Sequence, residues 1–232
     1  DLSLDVDFTR SITNNLRRSG IDDFDLSEDD LEVYEKEHFA SCATVLMIDL
    51  SHSMILYGED RITPAKQVAI ALSEMIQRKY PKDSLDVITF GDDAEMIDVG
   101  DLPYLKVGPF HTNTKAGLRL AQRLLRKKRH TNKQIFMITD GKPSVIYEDG
   151  RLYKNSFGLD PKIVNKTLEE ADACRRKRIT ISTFMIADDP ILVNFVEQLT
   201  ETNKGRAYFS GLDNLGGAIF VDYMKNRRRR VR

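Results

Sequence analysis

Ala43-Thr44-Val45-Leu46-Met47-Ile48-Asp49-Leu50-Ser51-His52-Ser53-Met54 is the stretch on which the fold turns. Its opening is an almost continuous apolar run rich in β-formers, the composition of a strand buried on both faces, as in parallel sheets covered by helices. A carboxylate ends the run, and hydroxyls follow at alternate positions. In extended chain alternate side chains share a face, so Asp49, Ser51 and Ser53 are expected to point to one place while Leu50 and His52 point elsewhere.

Outward from that strand the chain keeps a regular rhythm. Pro64 suits the first turn of a helix running to about residue 79, with Ala65, Val68, Ala69, Leu72 and Ile76 on one face. Residues 85–90 read as the next strand, Gly91-Asp92-Asp93 as its turn, and 94–99 as the returning arm of a hairpin. Further helices are expected over 114–126, 161–177, 190–202 and 212–226, and further strands over 134–139, 179–186 and 206–209. This alternation implies an α/β fold: a Rossmann-like, doubly wound, mainly parallel sheet with one antiparallel hairpin strand and helices on both faces. Ahead of it the chain is polar, with a short helix expected around 11–18. Residues 31–39 fit the period of an edge strand, and a capping box from Ser27 to Asp30 is the alternative. The expected division is an N-terminal extension over 1–40, one domain over 41–226 and a basic tail over 227–232.

With 232 residues the chain can bury one good core, and two domains would each be small. Its 35 basic and 36 acidic residues nearly cancel, so no whole-molecule field draws it to nucleic acid or to an acidic membrane. The basic tail reads most simply as a solvated end. A docking strip for an acidic partner is the sharper reading, and no interleaved aromatics stand ready to stack bases. Cys42 and Cys174 match neither a zinc spacing nor a disulfide framework, so reduced, buried thiols of a cytoplasmic protein are expected. No apolar run reaches the roughly 20 residues of a membrane span, and no signal-peptide core is visible, so no membrane attachment is expected.

The chemistry gathers at strand ends. Residues 135–139 end in Asp140-Gly141, which puts a second carboxylate at the carboxyl edge of the sheet, where open α/β sheets bind ligands. Phe110-His111-Thr112-Asn113-Thr114 enters a helix and supplies hydroxyls from a neighbouring loop. Asp49, Ser51, Ser53, Thr112 and Asp140 offer only oxygen, which favours a hard cation, Mg²⁺ or Mn²⁺ with Ca²⁺ also accommodated, over zinc. Two carboxylates balance such an ion and the hydroxyls are neutral. The ion still attracts an anionic oxygen from outside, such as a partner's Asp or Glu.

D-L-S-H-S-M, T-N-T and I-T-D-G, in this order and spacing, resemble the metal-ion-dependent adhesion site of von Willebrand factor A (VWA) domains, over about residues 41–226. The resemblance implies that Asp49, Ser51 and Ser53 hold the metal directly or through water, that Thr112 is the middle-loop threonine, and that Asp140 is the third motif's aspartate. R-I-T-P-A-K and T-F-M-I-A-D-D-P-I-L-V-N-F-V are similar to bacterial intracellular VWA proteins. Those resemble the VWA part of magnesium-chelatase D subunits and often work with MoxR-type AAA+ ATPases. Two departures stand out: His52 between the serines and His111 before Thr112, where the family commonly has Gly. The expected function is a non-enzymatic module that binds a protein partner's acidic side chain through the metal, within a bacterial AAA+ ATPase assembly. The alternative is a metal-dependent hydrolase using the same oxygens with His52 or His111. Ser51 itself lacks the G-x-S-x-G elbow of a nucleophile.

Overall fold

The computed structural model describes residues 7–20, 24–32, 41–58, 60–148, 150–155, 157–186, 189–209 and 214–227. The chain divides into two compact units, Asp1–Phe39 and Ala40–Arg232.

In the first unit, helix α1 (Phe8–Ser19) begins where the Asp7 side chain accepts the Arg10 amide and ends at Gly20, whose φ of 77° is left-handed. Its buried positions, Ser11 and Asn15, are polar, while Phe8, Ile12 and Leu16 are exposed one turn apart. Asn15 and Arg18 both donate to the Asp30 carboxylate, at 2.9 and 2.8 Å. Arg18 is the chief reason that this carboxyl is held well below its usual range. The helix expected at 11–18 is therefore present and extends further both ways. Of the edge strand expected over 31–39, Leu31 and Glu32 have irregular backbone, and 33–39 fall outside the described residues. The capping-box alternative has its counterpart in a 3₁₀ turn, Glu28–Asp30, whose Asp30 carboxylate accepts the Ser27 amide at 3.0 Å.

The second unit runs β1 (Cys42–Asp49), α2 (Ile62–Lys79), β2 (Ser84–Phe90), β3 (Ala94–Ile97), α3 (Thr114–Lys127), β4 (Asn132–Thr139), β5 (Val145–Glu148), β6 (Arg151–Lys154), α4 (Pro161–Arg176), β7 (Ile179–Met185), α5 (Pro190–Asn203), β8 (Arg206–Phe209) and α6 (Leu215–Arg227). Six strands form one sheet in the order β3-β2-β1-β4-β7-β8, and within it β3 alone pairs antiparallel. Every residue of the central strand β1 is buried. Its side chains alternate between two cores. Ala43, Val45 and Met47 pack with Leu118, Ala121 and Leu125 of α3 and with residues of α4 and α5, whereas Leu46 and Ile48 pack with Ala65, Ala69 and Leu72 of α2 and with Leu215, Ile219 and Tyr223 of α6. The apolar run of β1 is continuous because both faces are covered. This is the doubly wound α/β arrangement.

Some boundaries differ from expectation. The returning arm ends at Ile97, and Val99–Tyr104 coils into 3₁₀ turns containing Pro103, which lacks the amide a strand would need. The β5–β6 hairpin was not anticipated; the Asp-Gly pair at positions 149–150 is its sequence signal, and Gly150 has a φ of 76°. Of the basic tail, Arg227 closes α6 and 228–232 fall outside the described residues. Among the described residues, no helix is long and apolar enough to cross a membrane.

Candidate metal centre

Asp49 closes β1 and Asp140 follows β4. These strands are parallel neighbours with Ile48 opposite Ile138, so both carboxylates emerge at the same edge of the sheet. Asp49 is fully buried; its Oδ1 accepts the Ser51 amide at 2.8 Å and its Oδ2 the Thr139 hydroxyl at 2.6 Å. Strand geometry carries on only as far as Ser51, which bridges in parallel to Phe110. Beyond it, His52–Gly58 coils into 3₁₀ turns. Ser53 therefore arrives by a turn of the backbone and not by the alternation of extended chain. It still joins the group: its hydroxyl lies 3.0 Å from Ser51 Oγ and donates to Asp140 Oδ1 at 2.8 Å.

Thr112 completes the cluster. Its amide donates to Ser144 Oγ and its carbonyl accepts the Ser144 amide, each at 3.0 Å, which fixes the loop ahead of α3. A Cβ placed on Gly141 would lie 2.7 Å from Thr112 Oγ1, 3.0 Å from Ser53 Oγ and 3.1 Å from Ser51 Oγ. Three hydroxyls thus converge on a point where only glycine leaves room. With the carboxylates of Asp49 and Asp140, this all-oxygen donor set suits a hard divalent cation. No cluster of three or more His, Cys, Asp or Glu residues able to hold a metal occurs among the described residues.

Burial, together with the nearby Asp140 carboxylate, pushes Asp49 up to about 7. Burial also raises Asp140, and Arg61 opposes that rise. The Arg61 guanidinium donates to Asp140 Oδ2 at 2.7 Å, with the two side chains 13% and 0% exposed. Arg61 was not singled out from the sequence. It opens the R-I-T-P-A-K segment just ahead of α2, where no spacing rule links it to a carboxylate 79 positions away. Of the two histidines beside the motifs, His52 is exposed, and His111 directs Nδ1 to Asp92 Oδ1 at 2.9 Å.

A doubly wound sheet with such an edge cluster defines a VWA-type domain. Residues 42–224 match the family model described as Rv0959-like protein, vWA domain, and residues 1–36 match Rv0959-like protein, third domain. The chain belongs to this Rv0959-like vWA family. It is 30% identical over 229 residues to the uncharacterized protein Rv0959 of Mycobacterium tuberculosis and to the uncharacterized protein Mb0984 of Mycobacterium bovis. Each alignment covers 95% of this chain and 34% of the relative, so the chain spans about a third of the length of the curated relatives it matches. Among solved structures it is similar to the vWF domain of the type V pili tip protein Mfa5 from Porphyromonas gingivalis, with TM-score 0.64, 14% identity, and 84% and 98% of the two chains covered. It is also similar to a D319A mutant of the PilB minor pilin from Streptococcus sanguinis, with TM-score 0.68, 12% identity, and 82% and 62% covered. The SpRpn10 VWA domain gives TM-score 0.53 at 18% identity, with 76% and 93% covered. Likeness at these identities is a likeness of fold.

Proposed function

We propose that this domain is a non-enzymatic, metal-dependent protein-interaction module of a bacterial cytoplasm, taking Mg²⁺ or Mn²⁺ at Asp49, Ser51, Ser53, Thr112 and Asp140. The observation that carries this reading is the convergence of the Ser51, Ser53 and Thr112 hydroxyls beside Gly141. Once bound, the ion would supply an open coordination position for an external carboxylate. This chain's residues do the rest: the two Asp side chains offset the ion's charge, and the hydroxyls fill positions without adding charge. A partner's Asp or Glu is then the fitting occupant, in a charge-assisted contact shielded from water. A MoxR-type AAA+ ATPase is the proposed partner, on the strength of the R-I-T-P-A-K and T-F-M-I-A-D-D-P segments.

No specific observation favours hydrolysis. In this reading the exposed His52 and His111, whose Nδ1 lies 2.9 Å from Asp92 Oδ1, are residues of the site's rim. Calorimetry with Mn²⁺ tests the site: the Ser51→Ala, Ser53→Ala double variant should lose binding while keeping its circular dichroism, and unchanged affinity would sink the assignment. Capture of the partner from the native host, with and without chelator, tests the role. A partner held equally well in chelator, or released cleaved or dephosphorylated, would overturn it.

A further inference from the structure

Asp49 and Asp140 bring two carboxylates into one site with almost no exposure. Such a pair lacks water and repels itself, so the fold must supply positive charge nearby or bear the cost. Arg61 is that charge. Its guanidinium lies 2.7 Å from Asp140 Oδ2. Its own amide donates to the Met54 carbonyl at 3.1 Å, in the same 3₁₀ segment that carries Ser53. The group is thus anchored to the site from its backbone outward. Asp140 has both oxygens engaged, Oδ1 by the Ser53 hydroxyl and Oδ2 by Arg61.

A dication entering this cluster meets a cation already in place. The ion and the guanidinium draw on the same Asp140, whose two oxygens are already engaged by Arg61 and Ser53. We infer that Arg61 is a resident counter-cation that competes with the metal for Asp140 and holds the domain's affinity for divalent ions low. It is a positioning residue acting through Asp140, and the inference rests on the metal-site reading above.

The sign of the effect separates this role from a structural one. Loss of a merely structural arginine would loosen Asp140 and weaken metal binding, whereas loss of a competing cation strengthens it. The test is calorimetric titration of the whole chain with MnCl₂ at fixed ionic strength, for wild type, Arg61→Gln, Arg61→Met and Arg61→Lys, each checked by circular dichroism. Arg61→Gln should tighten Mn²⁺ binding by at least about tenfold, and Arg61→Met, which serves should the Gln variant unfold, should do the same. Arg61→Lys keeps the charge and should stay within roughly threefold of wild type. Tight binding by the neutral variants where wild type binds too weakly to measure would support the inference equally. A folded neutral variant with unchanged or weaker affinity overturns it and leaves the metal site standing, as does an Arg61→Lys variant that binds as tightly as Arg61→Gln. Absence of binding in every variant removes the metal site and this role together.

Discussion

At position 141 an added methyl group would press on three hydroxyls at 2.7 to 3.1 Å, closer than side-chain carbons are ordinarily found. Gly141→Ala is expected to push Thr112, Ser53 and Ser51 apart and to weaken Mn²⁺ at least about tenfold, since ligand displacements of well under an ångström already degrade a site. Calorimetry beside a thermal melt checks this, and a melt that collapses with the affinity would show damage reaching past the site. A second residue-scale expectation concerns pH. Burial pushes the Cys174 thiol up to about 12, while the same thiol in an unfolded chain ionises near about 8.5. The native state therefore keeps a proton that the unfolded state releases. The resulting stability is fully present below the unfolded value and is lost as pH rises toward the folded one, at up to about 1.4 kcal/mol per pH unit. Urea unfolding between pH 8 and 10 should fall less steeply for Cys174→Ala than for wild type, and parallel slopes would exclude the thiol as a cause. Neither Cys42 nor Cys174 forms a disulfide and both are buried, so thiol reagents should count two groups on denaturation and almost none before it.

Among elements, the loop before α3 shows how a helix start serves the cluster. Asn113 caps α3 by accepting the Ala116 amide at 3.0 Å, its side-chain amide donates to the Asp92 carbonyl at 2.9 Å, and its backbone amide to the Gly91 carbonyl at 2.8 Å. Asn113→Ala should cost about 1–2 kcal/mol in urea unfolding and loosen the adjoining Thr112, lowering Mn²⁺ affinity as well. Affinity that stays level while stability drops would separate the cap from the site. What the sequence made legible follows from locality. The inner strands and the helices α2 to α5 announced themselves because each buries one periodic pattern against the sheet, and the strand ends brought Asp49 and Asp140 to one edge. Three things stayed hidden. The β5–β6 hairpin is short and largely exposed, so no apolar alternation marked it. The 3₁₀ coil after Ser51 leaves no pattern distinct from extended chain. Arg61 takes its meaning from a carboxylate just past the end of β4, 79 positions away, which no reading along the chain can pair.

For the molecule as a whole, polar groups tie α6 to the sheet. Asp222 is fully buried, accepts the hydroxyls of Ser182 at 2.6 Å and Tyr208 at 2.7 Å, and pairs with Arg206. Asn226 bonds Gln134, which in turn donates to Thr44 at 2.9 Å, so one chain of contacts runs from α6 across to β1. Removing one partner from such a buried ion pair leaves the other uncompensated, and Asp222→Ala should cost about 3–5 kcal/mol. Denaturant unfolding measures this. The surviving folded fraction should bind Mn²⁺ as wild type does, since the network grips the sheet through strand interiors and the metal ligands stand at its carboxyl edge; a matching loss of affinity would join the two. No pattern along the chain marks these residues, because only the tertiary fold buries them. Finally, the outer strands β3 and β8 are four residues long, against seven or eight for the four between them. Gly205 leads into β8 where a Cβ would strike the Ile181 carbonyl at 2.1 Å, so that border is seated closely on its neighbour. An exposed row of amides and carbonyls is a template for a foreign strand, and its pull grows with its length. At either border of this sheet an arriving strand finds only half the backbone that an inner strand presents, so the molecule resists being extended edge to edge into fibres by copies of itself.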